Sequence, residues 1–421
     1  MLKNRPPESD VIEYRSKMTN SFLKTVSAFA NFRGGAIEFG INKDLSVKGI
    51  EEPLRFAESL ANKINDHIKP TPPYDISVND STRTVVLMVR SGLQPPYLYN
   101  NKAYERRSSS TIETGSLTFQ DLILKGRNLT YDALPAFEPQ LSFNQLEKSA
   151  QSVMGIERLG SDTLISLGLA GKNGYNRAAE LLADHNDYPG LEVVRFGADL
   201  STIRKRETIE HISLLEQYER ALAFFKDNYL KEVIDGSVRR YEEEIPETAF
   251  REALVNALIH RNWAISGAIQ VHMFPDRIEI RSPGGLPEGV SAQEYLTDAL
   301  SVPRNPHLAY VFLRLNLIGR PGTGIRRIRE AYAGLDASPS FSVHDSSIKV
   351  VLPVPQPQKE MTLEQEELYR LLNPNILYSR KELETLTGYK RSKLMRIVNE
   401  LGEKKLVKTV GNGRSTKYRR I

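Results

Sequence analysis

The run Phe250–Trp263, FREALVNALIHRNW, decides how this chain is read. At 3.6 residues per turn Glu252, Asn256 and His260 fall at i, i+4 and i+8, so their side chains stack along one stripe of a helix. Around them stand Phe250, Ala253, Leu254, Val255, Ala257, Leu258 and Ile259. A helix that apolar is expected to be buried. Each buried polar atom left unpaired costs about 1–3 kcal/mol, so something polar must face the stripe. It is either another protein group or the phosphate of a nucleotide with its metal.

Downstream, Gln270–Arg281 (QVHMFPDRIEIR) reads as two short strands hinged at Pro275-Asp276. It leads into Ser282-Pro283-Gly284-Gly285-Leu286, and farther on Arg320-Pro321-Gly322-Thr323-Gly324 opens a helical run over 325–329. Glycines just ahead of a helix let backbone N–H groups point at an anion, which suits phosphate. Together these features resemble the GHKL-type ATPase fold. The resemblance implies that Glu252 is the water-activating base and that Asn256 holds magnesium through the nucleotide. It makes Ser282, Gly284 and Gly285 the first glycine box and Gly322, Thr323 and Gly324 the second, with ATP and Mg as the cofactor. Where the family has an aspartate that reads the adenine amino group, this chain has Ser282. Together with HRNW, the PDRIEIRSPGGLPEG turn, Arg304-Asn305-Pro306 and GTGI, the run is similar to a divergent branch found in bacterial regulators labelled RecG-like. No GxxxxGK[ST] phosphate loop occurs in the chain, so a helicase motor is not expected. Arg304 reads either as an anion clamp or as a loop cap.

With 421 residues, 40% apolar and 26% charged, the chain is an ordinary globular protein of two to four domains. It has no cysteine, which excludes disulfides and thiolate metal sites. The first ten residues, MLKNRPPESD, contain no apolar export segment, and no apolar run approaches 18 residues. A cytoplasmic protein with no membrane span is expected. The net charge of +5 is unevenly spread: residues 380–421 hold thirteen Lys and Arg against four Glu, a net of +9. A basic tail is the electrostatic footprint of a nucleic-acid binder, or else a solvated basic face.

Residues 1–130 alternate short strands with three helices, over 18–31, 54–68 and 117–125, a mixed α/β unit. The runs ESDVIEYRSK, SAFANFRGGAIEFGINKD and VKGI, with YERRSSST at 104–111, resemble the AlbA-like domain of Schlafen proteins. That resemblance implies a nucleic-acid-binding domain, and in its nuclease members three acids that support metal-dependent RNA cleavage. Here they would be Glu8, Glu13 and Asp44. The alternative reading of these residues is a set of solvated acids near a turn.

Residues 126–245 are less legible. A connector over 129–138, helices over 145–159 and 174–184, a strand over 191–196 and a long amphipathic helix over 211–230 are expected, attached to the GHKL-like domain. The prolines of LPVPQPQ then mark a linker. Beyond it, helices over 364–372, 380–386 and 390–404 and a hairpin over 406–420 resemble a winged helix-turn-helix, with Ser379 and Glu382 as a capping box. The start of its third helix presents Lys390, Arg391, Ser392, Lys393 and Arg396 to the major groove, and Arg414, Lys417 and Arg419 sit on the wing.

The fold expected is thus α/β and α+β multidomain: an AlbA-like domain at 1–130, a GHKL-like α/β sandwich with a helical lead-in at 131–355, and a winged helix-turn-helix at 356–421. The function expected is a transcriptional regulator that binds double-stranded DNA, with a central domain that senses a nucleotide and a homodimer as its assembly. A metal-dependent nuclease on RNA or single-stranded DNA, and a weak ATPase, are the enzyme alternatives.

Overall fold

Phe22, Val26, Phe29 and Ala30 recur at helical spacing and form the buried stripe of α1 (Phe22–Asn31). In the computed structural model, which describes residues 5–197, 199–235, 238–287, 290–297, 302–319, 322–355, 361–374, 376–404, 406–411 and 416–420, the stripe packs on a four-stranded sheet. The sheet holds β1 (Ile12–Arg15), β2 (Gly35–Phe39), β3 (Tyr74–Asn79) and β4 (Thr84–Val89) in the order β1-β2-β4-β3. β1 runs parallel to β2; the other pairs are antiparallel. α2 (Pro53–His67) contributes Leu60 and Ile64 to the same core. A hairpin of β5 (Tyr104–Arg107) and β6 (Ser110–Glu113) lies along α1, and α3 (Ser116–Gly126) follows.

After short helices at Asn144–Met154, Ser161–Ser166 and Arg177–Leu182 the chain builds a second, six-stranded sheet. It begins with β7 (Leu191–Phe196) and β8 (Ile203–Ile209). α4 (Leu214–Tyr229) then runs directly into a separate ribbon of β9 (Leu230–Asp235) and β10 (Val238–Glu243), which leads to α5 (Glu247–His260). β11 (Ile269–Met273), β12 (Arg277–Pro283), α6 (Pro306–Arg314), α7 (Gly324–Ala331), β13 (Ser340–His344) and β14 (Ser347–Pro353) complete the unit. The sheet order is β8-β7-β11-β12-β14-β13, with β7 and β11 parallel and the other neighbours antiparallel. α5 is buried as its composition requires, with Phe250 stacked on Phe225 of α4 at 4.3 Å between ring centroids.

Four expected helices are shorter than their patterns; those over 18–31 and 211–230 begin only at Phe22 and Leu214. The one over 145–159 stops at Met154, because Gly155 takes the left-handed conformation (φ 67°). The one over 174–184 begins instead as a strand pair of Ala170–Gly171 with Gly174–Tyr175. Only after Asn176, whose side chain caps the Ala179 N–H, does the helix Arg177–Leu182 form.

Residues Met1–Ala333 and Ala337–Val354 form one compact unit, and Gly334–Asp336 with Pro355–Ile421 a second. The second contains α8 (Leu363–Leu371), β15 (Tyr378–Ser379), α9 (Arg380–Thr387), α10 (Arg391–Glu403), β16 (Val407–Val410) and β17 (Lys417–Arg420). Its strands form an antiparallel sheet in the order β15-β17-β16. Leu368, Leu383, Leu394, Ile397, Leu401, Val407 and Tyr418 make its core. The capping box of Ser379 and Glu382 is formed, and Gly388 ends α9 at φ 68°. Among the described residues no helix is long and apolar enough to cross a membrane.

Candidate functional site

The polar stripe of α5 is divided between two cavities. Asn256 and His260 line a small one, of about 60 Å³, with Leu286, Gly322, Gly324 and Ile325 among its walls. Glu252, one turn earlier, lines a second of about 210 Å³ with Arg251, Asn316 and Arg327. The guanidinium of Arg327, from α7, pairs with the Glu252 carboxylate. Burial pushes the Glu252 carboxyl up, and the Arg327 and Arg251 charges pull it back in part. His260 is pushed down to about 4, by burial first and by the Arg304 charge second. The polar partner demanded by the buried stripe is, at Glu252, a protein cation.

The glycine boxes are close-packed. Ser282 is buried and its hydroxyl donates to the Ala257 carbonyl of α5 at 2.9 Å. Gly284 has φ 99°, and its N–H donates to the Ser346 carbonyl at 2.8 Å. A Cβ on Gly285 would lie 2.6 Å from the Asp345 carbonyl oxygen, and one on Gly324 2.6 Å from Asn256 Nδ2. Gly322, at φ 83°, and Thr323 lead into α7. Arg304 ties this region to the AlbA-like part: it pairs with Asp121 of α3 at 3.3 Å and donates to the Gly285 carbonyl at 3.0 Å. It thus joins the first glycine box to helix α3. Nearby, the buried Asp132 accepts the His307 and Leu308 N–H groups at 2.8 and 3.1 Å, capping α6.

This arrangement does not fit magnesium-ATP. The base is paired with Arg327, and the Ser282 hydroxyl and the Gly284 N–H are taken by backbone carbonyls. Asn256 is left facing the cavity without the rest of the set that the resemblance implied.

The N-terminal acids are likewise engaged by protein partners. Glu13 is buried and paired with both Arg15 and Arg106, the latter at 2.6 Å. Arg106 comes from β5 and also donates to the Ser9 and Ile12 carbonyls. Glu8 accepts the Tyr14 N–H at 2.9 Å. Asp44 closes a turn on Ser46, whose N–H and hydroxyl bonds hold its carboxyl below the usual range. Among the described residues no group of three or more His, Asp or Glu side chains is gathered so as to hold a metal ion.

In the C-terminal unit Lys390, Arg391 and Ser392 are exposed at the start of α10. Lys393 is half-buried: it pairs with Glu364 of α8 at 2.7 Å and lies 4.0 Å from the Tyr389 ring centroid. Arg396 pairs with Glu364 at 3.3 Å and Glu400 at 3.8 Å. These two point to α8, which separates them from the exposed trio. Lys417 is exposed, Arg419 half-buried, and Arg414 lies outside the described residues. The residues missed by sequence reasoning are the partners, Arg327, Arg106 and Glu364. A signal existed for Arg327, since a buried carboxylate requires a cation and the GTGIRRIR run is rich in arginine.

Comparison with known proteins agrees with the mixed α/β, multidomain class. A family described as "Schlafen, AlbA_2" matches residues 8–114, and one described as "Putative ATP-dependent DNA helicase recG C-terminal" matches residues 267–352. The chain thus carries a Schlafen AlbA-type region and a RecG-C-terminal, ATPase-like region. No curated protein matches it. Among solved structures, the DIP2311 protein of Corynebacterium diphtheriae is similar at 18% identity, over 98% of this chain and 92% of that one, with a TM-score of 0.49. The N-terminal domain of a RecG-related protein from Nitrosomonas europaea is similar at 20% identity, over 26% of this chain and 86% of that one, with a TM-score of 0.20. Both likenesses are too distant to carry an argument.

Proposed function

We propose that the chain is a cytoplasmic, DNA-binding transcriptional regulator whose C-terminal unit docks on duplex DNA as a winged helix, while its ATPase-like domain serves as a scaffold without ATP turnover. The observation that carries the reading is the exposed basic start of α10, Lys390 and Arg391 beside Ser392, at the end of a helix that follows a capped helix and a glycine turn. A recognition helix meets base edges with its N-terminal residues, and basic side chains there also neutralise phosphates. The net charge of +9 over residues 380–421 favours the same partner. The Schlafen AlbA-type match is in keeping with a second nucleic-acid surface at the other end of the chain.

The partners of the two candidate acids weigh against both enzyme alternatives. A nuclease needs acids free to hold a cation, and Glu13 is held by two arginines. An ATPase needs a free base, and Glu252 is paired with Arg327. The test is binding of the full chain to labelled duplex DNA, with and without magnesium-ATP, beside a Lys390→Ala/Arg391→Ala variant. Expected is salt-sensitive binding that the double substitution weakens and magnesium-ATP leaves unchanged. Equal affinity of parent and variant would remove α10 from the interface and overturn the reading.

A further inference from the structure

The ribbon β9–β10 leaves the body between α4 and α5 and, among the described residues, pairs with no other strand. Its register runs from Leu230 opposite Glu243 to Asp235 opposite Val238. Tyr241 is 68% exposed, and Arg239, Glu242 and Glu243 are exposed beside it. A lone two-stranded ribbon is marginal in water, and its outer edges present backbone N–H and C=O groups ready to pair with another strand.

We propose that β10 pairs edge to edge with β10 of a second copy of this chain, antiparallel about a two-fold axis at Tyr241, so that the two ribbons form one four-stranded sheet in a homodimer. In an antiparallel ladder opposed residues share the same hydrogen-bonding state, while neighbours along a strand alternate. Two identical strands can therefore pair only with the axis passing through a residue. Centring it on position 240 opposes two arginines, and on 242 two glutamates; like charges directly opposed are destabilising. Centring it on Tyr241 stacks the two tyrosines and sets Arg239 against Glu243 of the partner subunit. By sequence it also sets position 240, an arginine, against Glu242 of the partner subunit. The strand reads Arg-Arg-Tyr-Glu-Glu from 239 to 243, complementary to itself in this register and no neighbouring one.

The β9 edge is a weaker competitor. Its best register, centred on position 233, opposes Lys231 to position 235, an aspartate, and Lys231 is already paired with Glu244. On β10, Arg239 lies 3.3 Å from Glu232, an exposed contact of little strength. The Glu243 carboxylate is steadied at the strand end by the Glu247 N–H at 2.8 Å. Because β10 continues through Ile245-Pro246 into α5, the joint would be adjacent in sequence to the helix that carries Glu252 and Asn256. It would also put two copies of the C-terminal unit in one particle, as a two-fold operator requires.

The chain has no cysteine, which makes the test direct. Residues opposed on the axis have Cα atoms about 4.5–5.5 Å apart, within disulfide reach. Tyr241→Cys in the full chain should therefore give, on mild oxidation, a species of twice the 47.6 kDa mass, whereas Leu363→Cys, at a residue 86% exposed on α8, should not. Sedimentation equilibrium supplies a second readout: Arg239→Glu or Glu243→Arg alone should weaken the dimer about ten-fold or more, and the two together should restore it to within about three-fold. A chain that stays monomeric at tens of micromolar overturns the proposal. So does a dimer that neither cross-links through position 241 nor responds to the charge reversals.

Discussion

Arg327 of α7 closes on Glu252 of α5, the carboxylate that the motifs suggest as a general base. A general base must be free to take a proton from water. Here the carboxylate is buried and its charge is already answered by a neighbour on the helix that opens at the second glycine box. Arg327→Met should leave that carboxylate unpaired in an apolar helix. The cost expected is about 1–3 kcal/mol, below the range for fully buried pairs because the Arg327 side chain is 38% exposed. Adding Glu252→Gln should recover most of it. Urea unfolding of the two single variants and the double reads this as a coupling energy, and an unmoved midpoint in Arg327→Met would show that the pair does not hold α5.

The two glycine boxes should respond differently to a methyl group. On Gly285 a Cβ would meet two backbone oxygens, of Asp345 at 2.6 Å and His344 at 2.8 Å, neither of which can swing away. Gly285→Ala should cost about 1–3 kcal/mol by overpacking. On Gly324 the obstacle is the amide end of Asn256, a side chain that can turn aside. Alanine is also the better helix former by up to about 1 kcal/mol. Gly324→Ala should therefore melt within a few degrees of the parent while Gly285→Ala melts clearly lower; the reverse order would mean that the boxes are not held by packing.

Much of this architecture can be read from periodicity. α1, α4, α5 and β11–β12 carry apolar residues at spacings that only a buried helix or strand explains, and the capping box at Ser379 announces α9. β8, β9 and β10 escape notice for a physical reason: Ile203–Ile209 and Leu230–Glu243 are rich in exposed charge, and an edge or free ribbon has no apolar face to show. The site residues are legible as types, while their partners are not. Nothing local to Glu13 says that Arg106, 93 positions away, will neutralise it, and for Glu252 the arginine-rich run at 326–329 hints at a cation without saying which arginine reaches it. A glycine needed for tight packing, such as Gly285, is spelled the same way as one needed to cradle phosphate.

His260 should give the chain a pH-dependent stability of definite sign. Its folded pKa, about 4, lies below the ordinary value of 6.5, so between these limits the unfolded chain binds a proton that the folded one does not. The stabilisation is complete above about pH 6.5 and is lost as the pH falls toward 4, at up to about 1.4 kcal/mol per unit. The carboxyls of Glu252 and Asp132, which burial pushes up, act in the opposite sense, so the informative quantity is the difference between parent and His260→Gln. The parent should lose about 1–3 kcal/mol more than the variant between pH 7 and pH 4.5. Parallel curves from urea unfolding would mean that His260 titrates normally.

Lys390 and Arg391 should matter to DNA more than Lys393, although all three fall within one helical turn. Lys393 is engaged by Glu364 at 2.7 Å and by the Tyr389 ring, so using it on a phosphate would first require breaking that pair. Among the described residues neither Lys390 nor Arg391 has an ion-pair partner, and both are exposed. Each phosphate contact contributes about one to the slope of log affinity against log salt. Lys390→Ala and Arg391→Ala should each lower that slope by about one, and Lys393→Ala by clearly less. Glu364→Gln releases both Lys393 and Arg396 from their shared carboxylate and should raise the affinity at low salt. If Lys393→Ala flattened the slope as much as Arg391→Ala, the face of α10 toward α8 would have to be counted as part of the DNA surface.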